Sequence, residues 1–216
     1  MNLMQIQSFA QKTLGNDVSG HDYNHVCRVA SLAVNLYQTD QPLTPDITAL
    51  LQAASLLHDT IDDKLTDDIL SRKQQLMQLL TEAGFDESQQ QEIMQTITKM
   101  SFAQNLQHKQ VLPTWGQYVQ DADRLDALGA IGIARAFAYG ASHKQLLYDP
   151  QLKPIELTSK TNYRQHQTTT INHFYEKLFH LEQLMNTTAG QQLAHQRTTY
   201  MRNFVQQFSK EWQGQI

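Results

Sequence analysis

Apolar positions recur along this chain at steps of three and four residues, and no segment alternates as a strand does, so the pattern predicts helices throughout. A first helix covers roughly Leu3 to Leu14 and ends near Gly15. A second runs from about Asp22 to Tyr37, with Val26, Val29, Ala33 and Leu36 as its stripe. Pro42 and Pro45 mark a turn, after which Thr44 or Asp46 can cap a third helix, Ile47 to His58, whose Leu50, Leu51, Ala54 and Leu57 point into a core. A fourth spans about Asp67 to Ala83 and stops at Gly84. Asp86 caps a fifth, with Gln89 in capping-box position and Ile93, Ile97 and Met100 as its stripe.

A long sixth helix is predicted over about Gln117 to Tyr139, carrying Gly129-Ala130-Ile131-Gly132, small side chains that would let another helix approach closely. The stretch from Ala141 to about Tyr163, with Pro150 and Pro154, reads as irregular, and loops of that length are often lids or binding loops. Two C-terminal helices follow, about Gln165 to Met185 and Thr187 to Trp212. The last bears Leu193, Arg197, Tyr200, Met201, Phe204 and Phe208 at helical spacing, an aromatic stripe for a core or a homodimer surface. No repeat and no clear linker divides the chain, so one all-α domain of about eight helices over 1–216 is expected.

Composition narrows the class. The chain has 216 residues, 17 Lys+Arg against 21 Asp+Glu, a formal net charge of −4, nine His and one Cys. A single cysteine, Cys27, makes neither an internal disulfide nor a Cys-based zinc site, and reads as a small buried hydrophobe. The mildly acidic balance, with no dense basic block, argues against gripping long nucleic acid by counterion release. The segment Met1 to Gly15 is polar, with no basic-then-apolar targeting pattern, and the apolar runs fall far short of the roughly 20 residues of a bilayer span. A soluble, cytoplasmic protein that does not enter membranes is the expectation.

Four positions stand apart: His25 early in the second helix, His58 and Asp59 at the end of an otherwise apolar helix, and Asp123 early in the sixth. A helix heading into the core should not end in an ionisable dyad unless something offsets the desolvation, which a metal ion held by neutral imidazole and carboxylate does. Adjacent helical residues diverge by about 100°, but a loosened last turn can bring both around one ion.

The segments His21-Asp22-x-x-His25-x-x-Arg28-Val29, Leu56-Leu57-His58-Asp59-x-x-Asp62-x-Lys64, Asp121-Ala122-Asp123-Arg124-Leu125-Asp126-Ala127-Leu128-Gly129 and Asn172-His173-Phe174-Tyr175-Glu176-Lys177-Leu178 together resemble the HD-domain superfamily of metal-dependent phosphohydrolases, in a small bacterial single-domain branch. The resemblance covers roughly residues 17 to 210. It implies a helical bundle with an HD core over about 17–140 and C-terminal helices over about 165–212 packed on it. It also implies one divalent metal held by His25, His58, Asp59 and Asp123. Asp121 competes with Asp123, but the two lie about 200° apart on a helix and cannot readily face one ion. Asp126 lies nearer the Asp123 face and is a candidate to support it.

Two imidazoles and two carboxylates suit Mn, Co, Ni, Fe or Zn better than Ca, with Mn favoured for activity. Asp62 is the candidate to orient or deprotonate a water, although relatives can carry a longer Glu there. Lys64 is a candidate catalytic and phosphate-contacting group, and Arg124 and His21 are candidate substrate contacts. The remaining histidines read as surface or packing groups (His108, His143, His166, His180 and His195), with His173 undecided. The implied activity is hydrolysis of a small phosphorylated substrate, with nucleotides the leading class: a (deoxy)nucleoside triphosphate to monophosphate plus pyrophosphate. A nucleoside monophosphate phosphatase is the nearest rival, and a non-catalytic nucleotide-sensing module the rival of another class.

Overall fold

The computed structural model describes residues 1–15, 22–61, 68–105, 108–157 and 166–215. Every α-helix among them follows an apolar stripe in the sequence. In chain order they are α1 (Leu3–Leu14), α2 (Tyr23–Asp40), α3 (Pro45–Leu57), α4 (Ile69–Glu82), α5 (Glu87–Lys99), α6 (Thr114–Asp126), α7 (Gly129–Ser142), α8 (Thr170–Glu176) and α9 (Thr188–Trp212). Short 3-10 segments cover His58–Ile61, Ala103–Asn105 and Leu178–Leu184, and there is no strand among the described residues. No helix among them is long and apolar enough to cross a membrane. The expected helix starts at Asp67 and Gln165, and the far end of the irregular stretch at Tyr163, lie outside the described residues.

The chain forms two compact units, Met1–Asp123 and Arg124–Ile216. In the first, α3 is the central element: Ala49, Leu50, Leu51, Ala53, Ala54, Leu56 and Leu57 are all buried, the all-round apolar character of a helix enclosed by others. It packs against α2, with α1 and α5 also against it. Its start is set by Thr44, whose hydroxyl accepts from the Ile47 N–H at 3.3 Å ahead of Pro45 in the first turn. At α5 the capping box forms in both directions: the Gln89 N–H donates to Asp86 Oδ1 at 2.9 Å, and the Asp86 N–H donates to Gln89 Oε1 at 3.0 Å.

The predicted sixth helix is two helices. Gly129 adopts φ +74°, a left-handed conformation that breaks the hydrogen-bond ladder between α6 and α7. A side chain there would also meet Arg197 of α9 at 3.1 Å, so the glycine both turns the chain and admits a neighbour. Gly132 serves the same turn, since a Cβ on it would lie 2.2 Å from the Ala127 carbonyl oxygen. The Leu125 carbonyl, which accepts the Leu128 N–H at 3.0 Å, also accepts a hydrogen bond from Arg197 at 2.6 Å, a cation at a helix C-terminus. Asp126 accepts from Arg135 at 2.8 Å in a largely buried ion pair.

The second unit gathers α7, α8, α9 and the 178–184 segment around Phe174, which is fully buried and meets the rings of Phe137, Phe179 and Phe204 at 6.1–6.3 Å. The aromatic stripe of α9 therefore divides: Phe204 belongs to this core, and Tyr200 is 57% exposed. The predicted helix over 165–185 is also broken. Thr169 caps α8, Lys177 leaves helical geometry, and the chain continues as a 3-10 segment that buries Leu178 and Leu181 on one face of a three-residue repeat.

The stretch after α7 is irregular but well held. Thr170 and Ile171 donate their N–H groups to the Leu146 and Leu147 carbonyls, and Asn172 Nδ2 donates to the Leu152 carbonyl at 2.9 Å. Glu176, one turn further along α8, is buried and accepts from the Ile155 N–H at 3.3 Å, from Thr168 at 2.8 Å and from His166 at 2.9 Å. The family-like segment around Asn172 thus ties down the chain on either side of residues 156–165.

Replacing Gly129 with Ala forces a Cβ into left-handed backbone against Arg197, so Gly129→Ala should lower stability by about 1–3 kcal/mol, read by thermal or urea denaturation. His173 gives a pH signature. Burial, then the neighbouring charges of Lys177 and His166, push its pKa down from 6.5 to about 3. The unfolded chain therefore takes up this proton first, and the stability present above pH 6.5 drains away as pH falls toward 3. His173→Asn should show a smaller loss of melting temperature between pH 7 and pH 4 than wild type.

Candidate metal centre

Three separate stretches of the first unit deliver the site. His25 lies in the first turn of α2, whose cap, Asp22, accepts from the His25 N–H at 2.7 Å. Its ring is fully buried. His58 and Asp59 follow the last residue of α3, where the α-helix tightens into the 3-10 segment 58–61. That change of winding is the loosened last turn the sequence called for: adjacent residues place His58 Nε2 and Asp59 Oδ1 3.3 Å apart. Asp123 is supplied by α6.

The four side chains converge. His25 Nε2 lies 3.3 Å from Asp59 Oδ2 and 3.4 Å from Asp123 Oδ1, and His58 Nε2 lies 3.6 Å from the same Asp123 oxygen. The two imidazoles stand edge to face, with centroids 5.3 Å apart. Charge-assisted hydrogen bonds between nitrogen and carboxylate run at about 2.7–2.9 Å, so these separations are long for direct pairs. They match a different geometry. Ligands bound at about 2.0–2.2 Å around one tetrahedral or octahedral ion sit roughly 3.0–3.4 Å from their neighbours.

The same groups perturb one another's protonation. His58 Nδ1 donates to the Ser55 carbonyl at 2.7 Å, which fixes the tautomer and turns the Nε2 lone pair toward the carboxylates. Burial disfavours a charge on His58, yet Asp59 and Asp123 outweigh it and raise its pKa above the ordinary imidazole value. Burial likewise pushes the Asp123 carboxyl up, and the two imidazoles reverse this and hold it well below the usual carboxylate range. Carboxylates that face two imidazoles form a pocket for a dication, which would take the place of the Nε2 protons. The Asp123 side chain keeps 29% of its surface exposed, so the cluster is not sealed.

His25, His58 and Asp123 each offer a ligand atom within 4.8 Å of the others, and Asp59 turns one oxygen to each imidazole. HD is the domain family that matches residues 22–128. The Bacillus subtilis protein YpgQ is 34% identical over 211 residues, spanning 97% of this chain and 93% of that one. This chain belongs to the HD-domain superfamily. A crystal structure from Lactobacillus plantarum superposes with a TM-score of 0.84 at 41% identity, covering 98% of this chain and 97% of that one. An HD-superfamily hydrolase from Bacillus thuringiensis does so at 0.74 and 36%, covering 99% and 97%. YpgQ itself has been crystallised in complex with ADP; that structure superposes at 0.75 with 31% identity and covers 97% of both chains. HD domains bind divalent metals, and the donor set here has the composition and spacing to hold one.

Of the other expected site residues, His21, Asp62 and Lys64 lie outside the described residues. Arg124 is buried, and its guanidinium donates to the Leu184 carbonyl at the end of the 178–184 segment. That bond gives Arg124 a packing role in the second unit. Cys27 is half-buried rather than enclosed. The sequence reading did not identify two supports of the imidazoles, the Asp22 cap and the Ser55 carbonyl. The first is visible as an Asp three residues before His25, the cap-to-N3 spacing; the second is main chain and leaves no mark on residue type.

His58→Ala and Asp123→Ala should each reduce the metal content of purified protein from about one ion per chain to near background. A chelator should lower the melting temperature of wild type and leave that of His58→Ala unchanged, since a ligand at about 100 times its Kd stabilises the folded state by about 2.7 kcal/mol. Equal chelator sensitivity in both proteins would show that the ion is held elsewhere.

Proposed function

We propose that this HD-superfamily hydrolase cleaves nucleotides, converting a (deoxy)nucleoside triphosphate to its monophosphate and pyrophosphate, with a divalent ion held by His25, His58, Asp59 and Asp123. The convergence of those four side chains carries the reading. The ADP complex of YpgQ supports a nucleotide as the substrate class.

Such an ion supplies Lewis acidity toward a phosphate oxygen and acidifies a water, and Mn, Co, Ni, Fe or Zn all suit the donor set, with Mn the first choice for assays. The protein's own contribution is positional. Ser55 keeps the His58 ring in one tautomer, Asp22 keeps His25 in the first turn of α2, and the paired carboxylates set the charge of the pocket. In the overall reaction a water oxygen bonds to the α-phosphorus, the bond from that phosphorus to the bridging oxygen breaks, and pyrophosphate leaves with the electron pair. Asp62, three residues past Asp59, is assigned to orient the water or take its proton, and Lys64 and His21 to meet the phosphates.

The test begins with metal analysis of untreated protein, followed by a screen of nucleoside tri-, di- and monophosphates with Mn, Co, Ni or Mg. Turnover of triphosphates, with stoichiometric pyrophosphate and loss of rate in Asp62→Ala, is the expected result. Orthophosphate released from monophosphates would replace this reading with a nucleotidase. Nucleotide binding without turnover under any metal would replace it with a sensing module.

A further inference from the structure

We propose that Asp22 is a positioning residue for the metal centre, acting through the helix cap it places on His25 rather than through its charge. The inference rests on the metal reading above. His25 is the third residue of α2, and its N–H is one of the donors that a helix leaves without an intrahelical partner. Asp22 Oδ1 takes that N–H at 2.7 Å, and the Asp22 carbonyl accepts from Val26 at 3.4 Å, opening the helical ladder. Among the described residues, Asp22 is the side chain that caps this end of α2.

What distinguishes this cap from the others in the fold is the residue it holds. The bonded N–H belongs to a residue whose ring is fully buried, with Nε2 3.3 Å from Asp59 and 3.4 Å from Asp123. The rest of α2 does not need the cap. From Val26 onward the helix is anchored by the buried side chains of Val26, Val29, Ala30, Ala33 and Leu36, and it packs along α3. Losing the cap therefore loosens one turn, and that turn carries a proposed ligand. A shift of a few tenths of an ångström in the His25 backbone is passed directly to Nε2, because a buried ring has no alternative rotamer to absorb it.

The comparison that tests this uses metal affinity, measured by competition with a fluorescent chelator for Mn and Co, alongside thermal denaturation of the metal-free proteins. Asp22→Ala should bind each metal roughly five- to tenfold more weakly than wild type, while its metal-free melting temperature falls only slightly. Asp22→Asn, which caps as well as Asp but carries no charge, should restore affinity to within about twofold. Asp86→Ala removes an equivalent cap from α5, which bears none of the four donors, and should bind metal as wild type does.

Wild-type affinity in Asp22→Ala would overturn the inference and leave the metal reading intact. Equal weakening in Asp22→Asn and Asp22→Ala would also overturn it, because the charge and not the cap would then be what matters. Wild type that takes up no ion would overturn the metal reading itself.

Discussion

The first unit is organised around an electrostatic debt at the end of its most buried helix. From Ala49 onward α3 is largely buried, and it ends in an imidazole and a carboxylate that come out of water together with the helix. Hydrogen bonds inside the protein do not settle this arrangement, because the separations of 3.3–3.6 Å are too long for good ion pairs. A dication at the centre, as proposed above, would settle it. Several local features suit such an ion: the switch from α to 3-10 winding after Leu57, the carbonyl that orients His58, the cap that seats His25, and the placement of Asp123 toward the imidazoles.

The parts of this fold that were legible from residue types are those where side chains themselves carry the signal. The α5 capping box could be read because both partners are side chains three residues apart, and α3 because an unbroken apolar stretch leaves little else for it to be. His25, His58 and Asp123, which the resemblance to the HD superfamily sets in one site, do converge, and a separation of about 200° on a helix favours Asp123 over Asp121.

What escaped the sequence reading were choices made by the main chain. Gly129 and Gly132 are compatible both with a close helix crossing and with a break, and only the positive φ at Gly129 decides between them. The run Leu178, Leu181, Leu184 has a spacing of three, which periodicity alone does not separate from an α-helical stripe sampled at its shorter step. The described part of the stretch after Ala141 reads as irregular in sequence because Leu152 and Ile155 are held from outside it, by Asn172 and Glu176 on α8. Arg124 sits one residue from Asp123 in sequence and invites a role beside it, but its buried guanidinium is taken up by a carbonyl. Adjacency in sequence was informative for His58 and Asp59, where the winding changes, and misleading for Asp123 and Arg124, where it does not.

The order in which the donors occur along the chain has a consequence for assembly. His25 comes early in the first unit, His58 and Asp59 near its middle, and Asp123 is its last residue. A chain emerging from the ribosome presents both imidazoles and one carboxylate well before the second carboxylate exists. During that interval the pocket has two nitrogen donors and half of its negative charge, a poorer trap for a dication and a poorer core as well. With the proposed ion bound, the centre would tie together stretches that are distant along the backbone, and the last of its four donors to be made is Asp123.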